Sequence, residues 1–215
     1  MNRFELVIFD LDGTLIDSQT DLANAVNHVR SSHKMPLLSV SEVRAFVGDG
    51  IKVLMKRSLP GLTEPLLLEA TNDFRSYYGK HLLENTVLFP GVLEMLKNLR
   101  GIQKAVLTNK PEALAAKILK GLKIDGYLAS LSGGDSSPKK KPDPQPVFDI
   151  INKLSSRIEL CAIVGDGKND ILAAKAAGVT SIAVSYGYTA PAELKALCPD
   201  FMVGNLSELC QLLQG

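Results

Sequence analysis

Phe9-Asp10-Leu11-Asp12-Gly13-Thr14-Leu15 follows the apolar run Leu6-Val7-Ile8, and the junction between the two decides the fold. A short unbroken apolar run reads as a strand buried on both faces, the habit of parallel sheets. In open α/β sheets the ligand sits beyond the carboxyl ends of such strands, so Asp10 and Asp12 belong at a site. Two carboxylates one residue apart are expensive to bury without a cation or protons. A hard divalent ion such as Mg²⁺ takes one or two carboxylates, keeps several waters and commonly carries a substrate phosphate. Taken alone, the pair reads more readily as a solvated turn, and other stretches must decide.

The chain has 215 residues, enough for one large domain or a core with a smaller inserted module. Its 24 basic and 23 acidic residues nearly cancel, which argues against a nucleic-acid footprint or attraction to an anionic membrane. A small molecule is the expected partner, for a monomer or homodimer. No run is long enough to span a bilayer, and the start lacks the pattern of a secretory signal, so the cytoplasm is expected. Cys161, Cys198 and Cys210 are odd in number and widely spaced, and they read as small core residues, not as a disulfide or zinc framework. His28, His33 and His81 show no metal-ligand spacing.

From Asp17 to about residue 85 the periodicity is helical throughout. Helices are expected from Asp17 to about Lys34, from Ser39 to near Gly48, from Ile51 to Leu59 and from Thr63 to about Leu83. Ser39 and Glu42 have capping-box spacing, and Gly48-Asp49-Gly50 is a break. Beyond residue 86 an α/β alternation takes over. Apolar strands are expected at Ile102–Leu107, Tyr127–Leu131, Ile158–Val164, Val179–Val184 and Asp200–Val203, separated by helices. This predicts a doubly wound parallel sheet formed by residues 1–16 and 86–215, carrying a helical block of residues 17–85 at its ligand edge, placed to act as a lid.

Three of these strands end in polar residues: Asp10 with Asp12, Thr108 with Asn109, and Asp166 with Asp170, while Lys141 lies in an intervening loop. Asp166 can supply a further metal carboxylate, and Asp170, one helical turn on, can anchor a metal-bound water or a lysine. Thr108 and Asn109 offer donors to phosphate oxygens. Such a composition suits phosphoryl transfer, where catalysis is mostly positioning and charge stabilisation.

D-L-D-G-T-L, T-N-K, K-K-P-D-P and G-D-G-K-N-D resemble, in order and spacing, the four motifs of the haloacid dehalogenase (HAD) superfamily, across nearly the whole chain. The helical block resembles that superfamily's cap. Leu83-Glu84-Asn85-Thr86 and Val47-Gly48-Asp49-Gly50 are most similar to its phosphoglycolate phosphatase subgroup. The resemblance implies a Rossmann-like core in which Asp10 is the nucleophile, forming an aspartyl-phosphate, and Asp12 is general acid and then base. It implies Mg²⁺ held by Asp10, the Asp12 carbonyl and Asp166, with Asp170 supporting, and Lys141 neutralising the phospho-enzyme. Of the three adjoining lysines, only the match to K-P-x-P selects Lys141.

Within the same superfamily, a dehalogenase would not need Asp12, and mutases tend to differ at Thr14 and at Thr108-Asn109-Lys110. Pyrophosphatase, nucleotidase and sugar-phosphate phosphatase readings stay open. A receiver-type phospho-acceptor would have no helical lid, and a non-catalytic regulatory module would not need every chemical position. Selectivity is expected in the helical block: the glycines Gly48 and Gly50 permit close approach to a small ligand, and Arg44 and Lys52 flank them as candidate cations.

Overall fold

The computed structural model describes residues 3–215. Its centre is β1 (Leu6–Phe9), every residue of which is buried. Around it β4 (Gln103–Leu107), β5 (Ser130–Ser132), β6 (Cys161–Gly165), β7 (Thr180–Val184) and β8 (Phe201–Val203) complete one six-stranded sheet. All its pairings are parallel, in the order β5-β4-β1-β6-β7-β8. The chain grows outward from β1 on one side through β4 and β5, then returns to the other side through β6. The reversal point, where loops diverge and leave a crevice, therefore lies at β1. Phe9 pairs with Val106 on one side and Val164 on the other, which brings the three strand ends side by side.

Period-two alternation sorts the strand side chains onto two buried faces. Val7, Phe9, Val106 and Val164 join the larger core with α5 (Val92–Asn98), α6 (Glu112–Gly121) and α10 (Leu206–Gln214). Leu6, Ile8, Leu107 and Ile163 join the smaller core with α7 (Gln145–Leu154) and α8 (Lys168–Ala177). Helices on both faces explain why the strands read as continuous apolar runs.

The helical block is present as α1 (Gln19–Ser32), α2 (Val40–Arg44), α3 (Ile51–Ser58) and α4 (Glu64–His81). Leu22, Val26, Met55, Phe74 and Tyr78 pack inside it and are continuous with the larger core. The capping box of α2 forms as read, with Ser39 and Glu42 each bonding the other's backbone.

Several boundaries differ from expectation. Asp17 belongs to β2 (Ile16–Asp17), which pairs antiparallel with β3 (Val87–Leu88) where the chain leaves and re-enters the sheet layer. α1 starts later because the Asp17 carboxylate accepts from the Gln19 N–H at 3.2 Å. α2 is only five residues long and gives way to turns before Gly48. Ile158–Leu160 is a 3₁₀ turn leading into β6, and Asp125–Tyr127 is another leading towards β5. α9 (Pro191–Ala196) has no counterpart in the sequence reading. Of the cysteines only Cys161 is buried; Cys198 is exposed and Cys210 half-buried, so the expectation of three core residues is corrected.

Candidate active site

Asp10 directly follows β1, and its N–H donates to the Val164 carbonyl at 2.9 Å, pinning the backbone to β6. The next residues turn back sharply: Gly13, at φ +84°, donates to the Ile16 carbonyl at 2.9 Å. Asp166 follows β6 directly and is buried against this turn. Its Oδ1 accepts from the Thr14 hydroxyl at 3.1 Å and its Oδ2 from the Tyr188 N–H at 2.7 Å.

Lys141 is buried between Asp10 and Asp170, its ammonium 2.9 Å from one and 2.5 Å from the other. The second oxygen of Asp170 accepts from the Gly167 N–H at 3.0 Å, at the start of α8. Both Asp170 oxygens are thereby engaged, one by Lys141 and one by its own helix terminus.

Carboxylate oxygens of Asp10, Asp166 and Asp170 lie within 4.8 Å of one another. Three carboxylates share the single Lys141 ammonium, so their full ionisation would leave two negative charges uncompensated. Burial, then the nearby charge of Asp170, pushes the Asp10 carboxyl up to about 7 despite Lys141. Burial, then Asp10 and Asp170, pushes Asp166 up to about 8. A cluster of all-oxygen donors of this kind fits a hard divalent cation such as Mg²⁺.

Asp12 stands apart from that cluster. Its Oδ1 accepts from both the Ser18 hydroxyl and the buried Lys110 ammonium. Thr108 is buried at the end of β4, where its Oγ1 accepts from the Lys110 N–H at 3.2 Å. Asn109 differs from expectation: its amide donates to the carbonyls of Gly48 at 2.9 Å and Lys141 at 3.0 Å, so it ties the helical block to the sheet edge instead of facing a phosphate.

The Gly48-Asp49-Gly50 break lies directly over the site. Asn169 donates to the Gly48 carbonyl at 3.1 Å and Asp49 Oδ1 at 2.8 Å, and Lys140 donates to the Asp49 carbonyl at 2.5 Å. Under it is a cavity whose lining includes Asp12, Thr108 and Lys110 from the sheet side and Gly48, Gly50 and Tyr78 from the helical side. Arg44 and Lys52 do not line it; Lys52 instead borders a separate outer groove with Lys56 and Arg75. The flanking-cation expectation is corrected accordingly, because α3 turns Lys52 to solvent while presenting buried Ile51 and Leu54 inward.

Sequence reasoning gave no role to Lys110, Ser18, Tyr78 or Tyr188. Lys110 could have been found, since it completes the T-N-K segment. Tyr188 could not, because nothing in its local sequence marks the loop after β7 as the one that reaches Asp166.

The sequence matches the model of the haloacid dehalogenase-like hydrolases over residues 7–184, and the chain belongs to that family. It is a phosphatase of that family. It is 36% identical over 221 residues to a phosphoglycolate phosphatase of Chromobacterium violaceum, covering 100% of this chain and 98% of the relative. It is 38% identical to the phosphoglycolate phosphatase of Colwellia psychrerythraea, over 95% of each chain. The fold superposes on a crystal structure described as a predicted phosphoglycolate phosphatase from Haemophilus somnus 129pt, with a TM-score of 0.94, 33% identity and 100% of both chains covered.

Proposed function

We propose that the chain is a Mg²⁺-dependent phosphomonoesterase acting on phosphoglycolate through an aspartyl-phosphate on Asp10. The observation that carries the reading is the Lys141 ammonium buried between the Asp10 and Asp170 carboxylates, with the Asp166 carboxylate beside them, at the carboxyl edge of the sheet. The relatives at 36% and 38% identity support the choice of substrate.

An Asp10 carboxylate oxygen forms the bond to phosphorus while the ester P–O bond breaks, and the leaving alkoxide takes a proton from Asp12. Water then attacks the same phosphorus, its proton passing to Asp12, and the Asp10 carboxylate departs with phosphate released. Lys141 offsets charge on Asp10 and on the phosphoryl oxygens throughout, and the Thr108 hydroxyl donates to one of those oxygens. A bound Mg²⁺, held by Asp10 and Asp166, supplies charge neutralisation that lets an anionic nucleophile approach an anionic ester. The Gly48-Asp49-Gly50 segment covers the reacting centre and limits the size of what enters.

The test is a comparison of kcat/KM across phosphoglycolate, pyrophosphate, nucleoside monophosphates and sugar phosphates, with Mg²⁺ and with EDTA. Phosphoglycolate should lead and chelator should abolish turnover. Full activity in EDTA, or preference for a nucleotide or sugar phosphate, would overturn the corresponding part of the reading.

A further inference from the structure

We propose that Lys110 and Tyr78 form a receptor for a carboxylate carried by the substrate, which rests on the phosphatase reading and specifies how the non-phosphate end is recognised. The cavity beside Asp12 is walled by Leu22, Val47, Ile51 and Leu54 from the helical block. Among the described residues that line it, Lys110 carries the one ammonium or guanidinium group. Apolar walls keep water away, so the Lys110 ammonium, offset on one side by Asp12 Oδ1, acts through its remaining donors in a medium of low dielectric.

The second observation is the Tyr78 hydroxyl. Tyr78 is fully buried on α4, and its hydroxyl has no hydrogen-bond partner of good geometry, although the Lys110 ammonium lies near it. The same ammonium stands 5.2 Å from the Tyr78 ring centroid. A buried hydroxyl without an acceptor is an expensive feature in a native structure unless a ligand completes it. An ammonium has three donors, and Asp12 engages Lys110 through Oδ1 alone. An acceptor with two oxygens, such as a carboxylate, would take both the Tyr78 hydroxyl proton and a spare Lys110 donor.

Spacing limits the substrate further. Thr108 and Lys110 are two residues apart at the end of β4 and line the same cavity. A phosphate near Thr108 and a carboxylate at Lys110 would suit a short linker, as in a two-carbon acid. A carboxylate arriving at Lys110 also shares the ammonium now held by Asp12, leaving Asp12 free to turn to the ester oxygen.

The experiment compares phosphoglycolate with ethyl phosphate, which has a methyl in place of the carboxylate, in the wild type, Lys110→Met and Tyr78→Phe. The wild type should favour phosphoglycolate in kcat/KM by about 10²-fold, the loss expected when charged hydrogen bonds are removed. Lys110→Met should bring the ratio close to one, and Tyr78→Phe should lower it several-fold through KM. General damage to the fold would depress both substrates together and leave the ratio unchanged. Tyr78→Phe removes a single oxygen and keeps the ring, so it provides a reading even if Lys110→Met does not fold. A wild-type ratio retained in either variant overturns the proposal. A wild type that hydrolyses aryl phosphates but treats both alkyl esters alike also overturns it, with the Asp10 chemistry intact; failure on every phosphate ester would instead defeat the phosphatase reading.

Discussion

Gly13 lies so close to Asp166 that a Cβ on the glycine would stand 2.3 Å from Asp166 Oδ2. Its φ of +84° is a second reason for glycine at this position. Gly13→Ala should therefore displace the Asp166 carboxylate, raising the Mg²⁺ concentration for half-maximal activity by ~10–100-fold, the scale seen when a ligand's supporting contacts are lost. Metal titration of activity checks this, and an unchanged half-saturation would show that Asp166 is not held by this contact.

Lys141 is enclosed with Asp10 and Asp170, and burial there is tolerable only because the charges meet. Lys141→Met leaves two facing carboxylates and should destabilise the protein by ~3 kcal/mol, within the range for breaking a buried pair. Adding Asp170→Asn should recover part of that loss. Urea unfolding of the single and double variants measures the coupling, and simple additivity would contradict it.

Asp21, buried on α1, receives the N–H and side-chain amide of Asn85 at 3.0 and 2.8 Å, and the N–H and hydroxyl of Thr86 at 2.8 and 2.7 Å. This latch joins the segment leaving the sheet to the one returning. Burial alone would raise the Asp21 carboxyl, but the hydrogen bonds from Asn85 and Thr86 outweigh it and hold the group below its ordinary value. Its stabilisation is then present above the unfolded-state value and is lost as pH falls through the folded one. Asp21→Asn should cost about 1–3 kcal/mol at pH 7 and much less near pH 3, read from denaturation midpoints at the two pH values. An equal loss at both would refute the carboxylate's role.

Asp10 and Asp166 are displaced in the opposite direction, to about 7 and about 8, by burial first and then by neighbouring carboxylates, Asp170 acting on Asp10 and both Asp10 and Asp170 on Asp166. In the metal-free protein the native state holds more protons than the unfolded chain between about pH 4 and 8, so stability falls as pH rises across that window. Mg²⁺ must release those protons to bind, and its affinity should rise between pH 6 and 8. Calorimetric titration in buffers of different ionisation enthalpy reports both the trend and the proton release. A flat profile with no proton release would argue against this metal site.

Part of the site was legible because several of its members directly follow an apolar strand, where the chain itself marks the change from core to solvent. Asp10, Thr108 and Asp166 are readable in this way, whereas Lys141 is separated from Lys139 and Lys140 only by the resemblance of Lys141-Pro142-Asp143-Pro144 to the superfamily's K-P-x-P motif. The two-residue strands β2 and β3 were not legible, since two residues carry no periodicity and their pairing depends on contacts across the whole helical block. Asn109 was assigned to phosphate because its amide can donate; which acceptors it meets is set by the Gly48 turn folding over it. Arg44 and Lys52 were adjacent to that turn in sequence, but helix geometry decides which neighbours face inward. Tyr78 and Tyr188 come from distant elements and reach the site only through tertiary packing.

The central claim is that Asp10 is the nucleophile, and Asp10→Asn tests it most directly, since the change removes one negative charge with almost no change in volume. The measurement is kcat for phosphoglycolate with saturating Mg²⁺, on protein whose circular dichroism matches the wild type. Turnover should fall by at least about 10⁴-fold, as expected when a covalent nucleophile is lost. Activity within tenfold of the wild type, above a contamination control, would contradict the account.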